Sequence, residues 1–580
     1  MEEQQGCESV LLNTFLVRKK RCRVYFHRGT LIWETEMSPY TRCTVSMKDV
    51  ISVHACPRVC QQDEEAWSAE ERVGCGAFAN RSSKEIEVAA AVAERSRRER
   101  LKNAAAVGGP QPGFVIHYAE RGTKNRWRHK SVTLRHTDPH QVASWLKTLR
   151  NHLAGMTWRP RRLLVVVNPV GGRRKGVKVL EQHLQPMLTL ADIGATVLVT
   201  QRPGHARDLI LNGTSWPVPG PGPGREQPDA PASPPLSHEG PDATAAAPER
   251  DFLEGVDGVV CVGGDGTVAE VFNALVLAAA RSAGVDPSDP EVSLPSPQLR
   301  LGVVPAGSTD TVAYCLHGTR DITTAILHII LGDELGMDLC GIHSNGALLR
   351  YCASIISYGY MGDIIRESEK FRWMGPRRYD YSGFKKLMAN KGYEGEITLL
   401  TDSSNADSGP KCLENCERCQ KGCDISKDKQ SQQTGEWKTV KGKFFMVNGT
   451  NLSCACRRCP NGISPFCHIG DGCVDIVLIK HTSLFNNLRL LLRLTSPVKT
   501  VFDLPFVEVH RAKEFFFRPL PATASRSETN PPQHIPGISV WNCDGEVIWD
   551  PNIRIRVHRQ LIKMFARGME EPMEVPFCSF

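Results

Sequence analysis

A chain of 580 residues is long enough for roughly two to four domains, each with its own core. Its composition, 41% hydrophobic and 23% charged, is that of a globular protein rather than a fibrous or wholly disordered one; a net charge of +8 is compatible with an anionic membrane surface or nucleic acid and proves neither, and the chain as a whole is expected to have no nucleic-acid partner. The opening MEEQQGCESV is acidic and polar, no apolar run nears a membrane span, and the 21 cysteines are odd in number and scattered, so a cytoplasmic protein with mostly reduced thiols is expected.

Residues 1–56 carry short strand patterns. CRVYFHRGTLIWE (22–34) alternates around Arg28-Gly29, which predicts a hairpin, and TVSMKDVISV continues the pattern. Residues 57–112 lose it as Glu, Ala and Arg rise, and are expected to be an inserted loop, helical at most around 84–102. FVIHYAE and SVTLRH resume the strands across the basic turn 121–126. Thr137-Asp138-Pro139 then starts a helix with Val142, Trp145, Leu146, Leu149 and Leu153 on one face. Strands, a basic hairpin loop and a closing helix with an inward tryptophan resemble a pleckstrin-homology domain, assigned to 1–155. That resemblance implies that Lys124, Arg126 and Arg128 meet anionic lipids, phosphoinositides included; a solvated basic loop is the plainer alternative.

From Arg161 strand and helix alternate. RRLLVVVNPVGGRRKG is a buried strand running into Asn168-Pro169-Val170-Gly171-Gly172, and a helix (177–188) with the strand ATVLVT (195–200) completes a βαβ unit. Residues 212–250, rich in Pro, Gly, Ala and Ser, are expected to be a disordered insertion. VVCVGGDGTVAE (259–270) is the centre of the domain: a β-branched strand breaks at Gly263-Gly264, and a helix follows. Glycines let backbone N–H groups face a phosphate, and Asp265 is the one carboxylate inside the turn, placed to accept a proton beside a nucleotide. An ordinary strand-to-helix bend is the alternative. LRLGVVPAGSTDTVAY gives a third such turn at 305–310. Three strand–turn–helix units in one Rossmann-like α/β domain (157–345) bring their turns to the same sheet edge.

Strand patterns dominate from Met337 onward: LLRYCASIISYGY, EGEITLL, GKFFMVNGT, VDIVLIK, FVEVHRAKEFFF, GEVIWD and IRIRVHRQ. They predict an all-β sandwich over 346–580, interrupted by insertions at 402–436 and 519–538.

These turns, Asn-Pro-x-Gly-Gly (168–172), Gly-Gly-Asp-Gly (263–266) and Pro-x-Gly-Ser-Thr (305–309), are similar to the nucleotide signature of the diacylglycerol kinase and sphingosine kinase superfamily. GDIIRESEKFRW (362–373), the cysteines at 412–419, CACRR (454–458) and WNCDGEV (541–547) resemble the ceramide kinase family within it. The resemblance implies phosphorylation of the primary hydroxyl of ceramide, with ATP and Mg2+. Asn168, Pro169, Val170, Gly171 and Gly172 would cradle the phosphates. Thr200, Glu270, Gly307 and Ser308 would line the nucleotide pocket, Arg372 and Arg378 would reach the phosphates, and Asp544, Gly545 and Glu546 would fold back onto the nucleotide. Asp265 would be the catalytic base, with Gly263, Gly264, Gly266 and Asp363 at the lipid. Ile365 stands where sphingosine kinases carry an acid suited to a cationic amine. The resemblance also implies calcium stimulation and peripheral attachment to Golgi and plasma membranes. A sphingosine or diacylglycerol kinase, or a catalytically weak lipid-binding relative of the ceramide kinases, are the alternatives. NAD kinases and phosphofructokinases share the Gly-Gly-Asp-Gly turn but not the other segments.

Two further patterns stand out. Cys412-x3-Cys416-x2-Cys419, with Cys423 beyond, has spacing that could hold zinc, and Cys454, Cys456 and Cys459 could supply ligands or nothing; thiols of a flexible loop are the alternative. Phe485, Leu492 and Val498 fall at positions 1, 8 and 14 of a basic segment (480–499) that calmodulin could wrap, unless it packs on the sandwich instead.

Overall fold

The computed structural model describes residues 10–37, 40–56, 112–171, 174–212, 253, 255–375, 377–401, 410–421, 436–456, 459–496, 498–520 and 537–571. The loop expected at 57–112 and the insertion at 212–250 lie outside the described residues except at their ends, Pro112 and Asn212. The chain divides into two compact units, Met1–Gly122 with Trp127–Arg159 and Leu190–Asp192, and Thr123–Arg126 with Pro160–Thr189 and Ile193–Phe580.

In the first unit, β1 (Leu11–Val17), β2 (Lys20–His27), β3 (Thr30–Thr35), β4 (Arg42–Ser46), β5 (Val50–Ala55), β6 (Gly113–Arg121) and β7 (Trp127–Arg135) form one antiparallel sheet, in the order β4-β3-β2-β1-β7-β6-β5. Arg28 and Gly29 both adopt positive φ (49° and 67°), the backbone a two-residue hairpin needs, at the predicted turn. Lys124 and Asn125, at 58° and 55°, make the corresponding turn between β6 and β7. Helix α1 (Pro139–Ala154) starts at Asp138, whose carboxylate accepts the His140 N–H, with Pro139 just inside. Val142, Trp145 and Leu149 are buried, and Trp145 packs edge-on to Phe15 with centroids 5.2 Å apart.

In the second unit, β8 (Arg162–Val167), β9 (Gly194–Val199), β10 (Gly258–Gly263) and β11 (Arg300–Pro305) pair in parallel in the order β11-β10-β8-β9. Val165, Val166, Val167 and Val259–Val262 have no exposed surface, as continuous β-branched runs require when both faces of a parallel sheet are covered. Helices α2 (176–190, with one π turn at Leu180–Leu184), α3 (His205–Asn212), α4 (Asp265–Ser282), α5 (Thr311–His317) and α6 (Ile322–Leu331) accompany these strands. Parallel pairing puts the C-terminal ends of β8, β10 and β11 side by side, so the three glycine turns meet at one edge.

The sheet does not stop there. After β12 (Leu335–Ser344), β13 (Ala347–Cys352) and β14 (Ile355–Gly359), the chain forms α7 (Tyr360–Ser368), α8 (Arg377–Ala389), β15 (Tyr393–Thr401), a one-turn helix α9 (Glu417–Gln420), β16 (Glu436–Thr450), β17 (Val474–Lys480) and α10 (Leu484–Leu494). β18 (Val507–Pro519), β19 (Trp541–Cys543), β20 (Glu546–Ile548) and β21 (Ile553–Met564) complete it. β21 pairs with β11, β12 and β18, so the parallel strands run on into the antiparallel half as one 14-stranded sheet. β15 and β17 each pair with both β16 and β18, closing those four strands into a ring. Ile397, Leu399, Phe444, Val447, Ile476, Leu478, Phe515 and Phe517 share its core.

Two local expectations are corrected. GDIIRESEKFRW and the residues after it are helical, not part of a strand-only half: Tyr360, Ile364 and Leu387 pack against Phe445 and Met446, while the charged residues of the segment pair along the helices. LLRYCASIISYGY is two strands, because the Asp544 carboxylate takes the N–H groups of Ala353, Ser354 and Ile355 and so ends the ladder between them.

Candidate active site at the glycine turns

Asn168, which follows β8, ties the first turn to the second. Its Oδ1 accepts the N–H groups of Val170 (3.0 Å) and Gly171 (2.8 Å), and its Nδ2 donates to Thr267 Oγ1 at 3.0 Å. A Cβ on Gly263 would come 2.8 Å from that same Thr267 oxygen. The second and third turns touch through backbone alone: a Cβ on Gly307 would sit 2.5 Å from Gly264 Cα, a separation no other residue could keep. Gly307 N–H donates to Asp310 Oδ1 (2.8 Å), and Asp310 itself stands at φ +53°. Ala306 N–H completes the junction on the Gly263 carbonyl at 3.0 Å.

Asp265 opens the 18-residue helix α4, where the positive end of the helix dipole favours an anion. Its carboxylate accepts N–H groups from Thr311 (3.1 Å) and Val312 (3.0 Å) at the start of α5. Burial pushes its pKa above the ordinary carboxylate range; the Val312 and Thr311 N–H groups pull it back, and the charge of Asp544 raises it again. The result is a carboxylate held by backbone on one side, more basic than an exposed aspartate, with a second acid beside it.

Asp544 and Gly545, both at positive φ (49° and 93°), form the turn between β19 and β20. Besides its backbone bonds to 353–355, Asp544 accepts the Ser354 hydroxyl, and Glu546 pairs with Arg350. Gly545 has open space where a side chain would stand. Thr200 is buried at the end of β9 and bonds to the carbonyl of Val167, the residue before Asn168. Glu270 accepts the N–H groups of Ala206 and Arg207 and so caps α3. Ser308 is exposed, its carbonyl taking a bond from Arg320.

Other expected site residues are placed elsewhere. Arg378 pairs with Glu369 at 3.2 Å, donates to the Tyr379 hydroxyl and lies over that ring; no bond joins it to the turns among the described residues. Gly172 and the Arg372 side chain lie outside the described residues. Asp363, in the first turn of α7, is 2% exposed and fully engaged: it accepts from Arg366 Nη2 (2.9 Å), Ser539 Oγ (2.8 Å) and the Tyr393 hydroxyl. Ile365 is half-buried on the same helix. Cys412, Cys416 and Cys419 converge around α9 rather than at the turns. Thr267, Asp310, Tyr393 and Ser539 were not singled out by the sequence; Thr267 and Asp310 stand beside the glycine motifs and could have been, whereas Tyr393 and Ser539 meet Asp363 only through tertiary pairing. A cavity of about 560 Å3, lined by His343, Phe516, Phe517 and Arg554 among others, shares no residue with this constellation.

Three glycine turns at a parallel sheet edge, the start of one long helix and one carboxylate of raised pKa are thus gathered in one place. Residues 162–215 and 232–342 match the diacylglycerol kinase catalytic domain, and residues 354–579 match the ceramide kinase C-terminal domain. The catalytic part is thus of the diacylglycerol kinase type. The ceramide kinase of Homo sapiens is 37% identical over 486 residues, 79% of this chain and 83% of its own; that of Mus musculus is 36% identical over 488 residues, 79% and 84%. A diacylglycerol kinase structure from Bacillus anthracis is 14% identical at a TM-score of 0.40, covering 70% of this chain and 97% of its own. This chain belongs to the ceramide kinase family.

Proposed function

We infer that this chain transfers the γ-phosphoryl group of ATP to the primary hydroxyl of ceramide, giving ceramide 1-phosphate. The observation that carries the inference is Asp265, held by two backbone N–H groups at the start of α4 where the glycine turns of β8, β10 and β11 converge. The turns offer backbone N–H groups to phosphate oxygens, and the Gly264–Gly307 contact keeps side chains out of the cradle. Asp265 takes the hydroxyl proton as the oxygen attacks; its raised pKa makes it the better base. Mg2+ would supply charge neutralisation on the phosphates, and Asp544, the acid whose charge raises the Asp265 pKa, is the residue that would hold it. Positioning supplies most of the remaining rate.

Asp363 acts at the lipid end, locked by Arg366, Ser539 and Tyr393, and Ile365 leaves no second acid to attract an amine. Ceramide's amide carries no charge to pair with such an acid, and a buried unpaired carboxylate would be costly. Radiolabelled ATP supplied with ceramide, sphingosine and diacylglycerol tests this: label goes overwhelmingly to ceramide, and equal labelling of sphingosine would refute it.

Residues 1–155 carry location rather than chemistry, with 157–345 and 346–580 sharing the nucleotide and lipid sites. The seven-stranded sheet and the helix bearing buried Trp145 support a pleckstrin-like lipid-binding unit, with the Lys124–Arg128 loop on anionic lipids of Golgi and plasma membranes. No helix of the described residues is long and apolar enough to cross a membrane. Calcium acts through calmodulin on 480–499: Phe485, Leu492 and Val498 are 74%, 62% and 85% exposed, as a target face requires.

A further inference from the structure

One cluster takes no part in phosphoryl transfer. The short stretch leading into α9 gathers Cys412, Cys416 and Cys419, and the loop between β16 and β17 brings His468 to them from 49 residues beyond Cys419. One ligand atom from each of the four lies within 4.8 Å of every other. Cys412 Sγ and Cys419 Sγ are 3.7 Å apart, Cys416 Sγ lies 3.2 Å from His468 Nδ1, and Cys419 Sγ lies 4.0 Å from it. Sulfurs bound at about 2.3 Å to a tetrahedral ion lie about 3.8 Å from one another, and nitrogen ligands slightly nearer. A disulfide would need its sulfurs at about 2.05 Å and would leave the other thiol and the imidazole without a role. Cys412, Cys419 and His468 are 4%, 6% and 2% exposed, so the cluster faces inward rather than to solvent.

We propose that Cys412, Cys416, Cys419 and His468 bind one structural zinc ion. Three thiolates and an imidazole are a donor set that selects zinc over magnesium or calcium, and four protein ligands leave no open position for catalysis. The thiols give up their protons on binding, and the ion ties the stretch around α9 to the loop that carries His468. Its neighbours show what it braces. Arg559 and Gln560, on β21, both donate to the Cys419 carbonyl (3.0 and 2.8 Å), Gln560 also reaches the Gly470 carbonyl, and Glu414 N–H bonds to the Met569 carbonyl. Cys412 and Cys419 share a core with Leu452 and Ile469, and the adjoining Ser453 touches Cys315 on α5, the helix whose first N–H groups seat Asp265. The ion therefore acts on the reaction at a distance, by fixing the wall behind α5.

The test is metal analysis of the purified full-length protein together with X-ray absorption at the zinc edge. One zinc per chain with three sulfur and one nitrogen neighbour is expected. His468→Cys keeps the ion with four sulfurs, whereas His468→Ala and Cys416→Ser lose it. Replacement by cobalt(II) gives the thiolate charge-transfer and ligand-field bands of a tetrahedral site. Wild-type protein that carries no zinc and takes up none from a zinc buffer overturns the proposal. So does zinc with an oxygen and nitrogen shell only, or zinc retained undiminished in His468→Ala. The wild-type measurements decide the matter even where a variant fails to fold.

Discussion

Asp265 and Asp363 each stand in the first turn of a helix, α4 and α7, yet they are held in opposite ways. Asp265 is gripped by the backbone N–H groups of Thr311 and Val312, so its place is fixed by the fold while each oxygen keeps a lone pair for chemistry. Asp363 is gripped by the side chains of Arg366, Ser539 and Tyr393, which occupy its oxygens and neutralise its charge. The difference teaches which carboxylate the backbone leaves room to react and which one the side chains around it already engage. A backbone-held acid raised by burial is poised to react; an acid paired with a guanidinium is already satisfied.

The comparison can be broken at several points. Gly307→Val is expected to have the largest effect, because its Cβ alone would overlap Gly264 Cα and force the second and third turns apart. ATP binding should vanish, and a misplacement of about 1 Å would itself cost about 10²-fold in rate; an active Gly307→Val protein would show that the turns are not the cradle. Asp363→Ala strands Arg366 beside a buried gap, a loss of about 3–5 kcal/mol in unfolding experiments. Asp363→Asn should be milder, lowering the melting temperature and raising the KM for ceramide while leaving that for ATP unchanged. A fall in kcat at an unchanged melting temperature would instead give Asp363 a chemical role.

The pH profile sharpens the same contrast. Transfer requires ionised Asp265, so kcat/KM should fall as pH drops through a value above the usual carboxylate pKa of about 3.9. Asp544→Asn removes a charge that raises this value and should move the acid limb to lower pH. Stability runs in the opposite sense: a carboxyl with a raised folded-state pKa stabilises most below its unfolded value, and that contribution is lost as pH rises through the folded one. The smallest effect on chemistry is expected from reversing Lys124, Arg126 and Arg128 to glutamate in the full chain. Binding to anionic vesicles should weaken by about 1 kcal/mol per charge, with kcat on detergent-dispersed ceramide unchanged; unaltered vesicle binding would return the loop to a solvated role.

Much of this was legible in the sequence, because a glycine beside an aspartate at a strand end is a local instruction. The Arg28-Gly29 hairpin, the Asp138 cap and the three turns follow from backbone needs written within a few residues. What escaped was decided by tertiary pairing. Asp544 breaks the ladder between β13 and β14 from about 190 residues away, as no strand pattern at 347–359 could reveal. The helices of 360–389 were hidden because their apolar residues face Phe445 and Met446, far along the chain. His468 joins the three cysteines in the same way, at a distance no ligand spacing announces.

The account stands most directly on Asp265→Asn. That variant keeps the size and shape of the side chain and one oxygen, for one of the two α5 N–H groups, so it should fold and still bind ATP in a titration. Transfer to ceramide at saturating ATP should fall by about 10²–10⁴. Transfer within tenfold of wild type, with ATP binding intact, would contradict the assignment of Asp265 as the base.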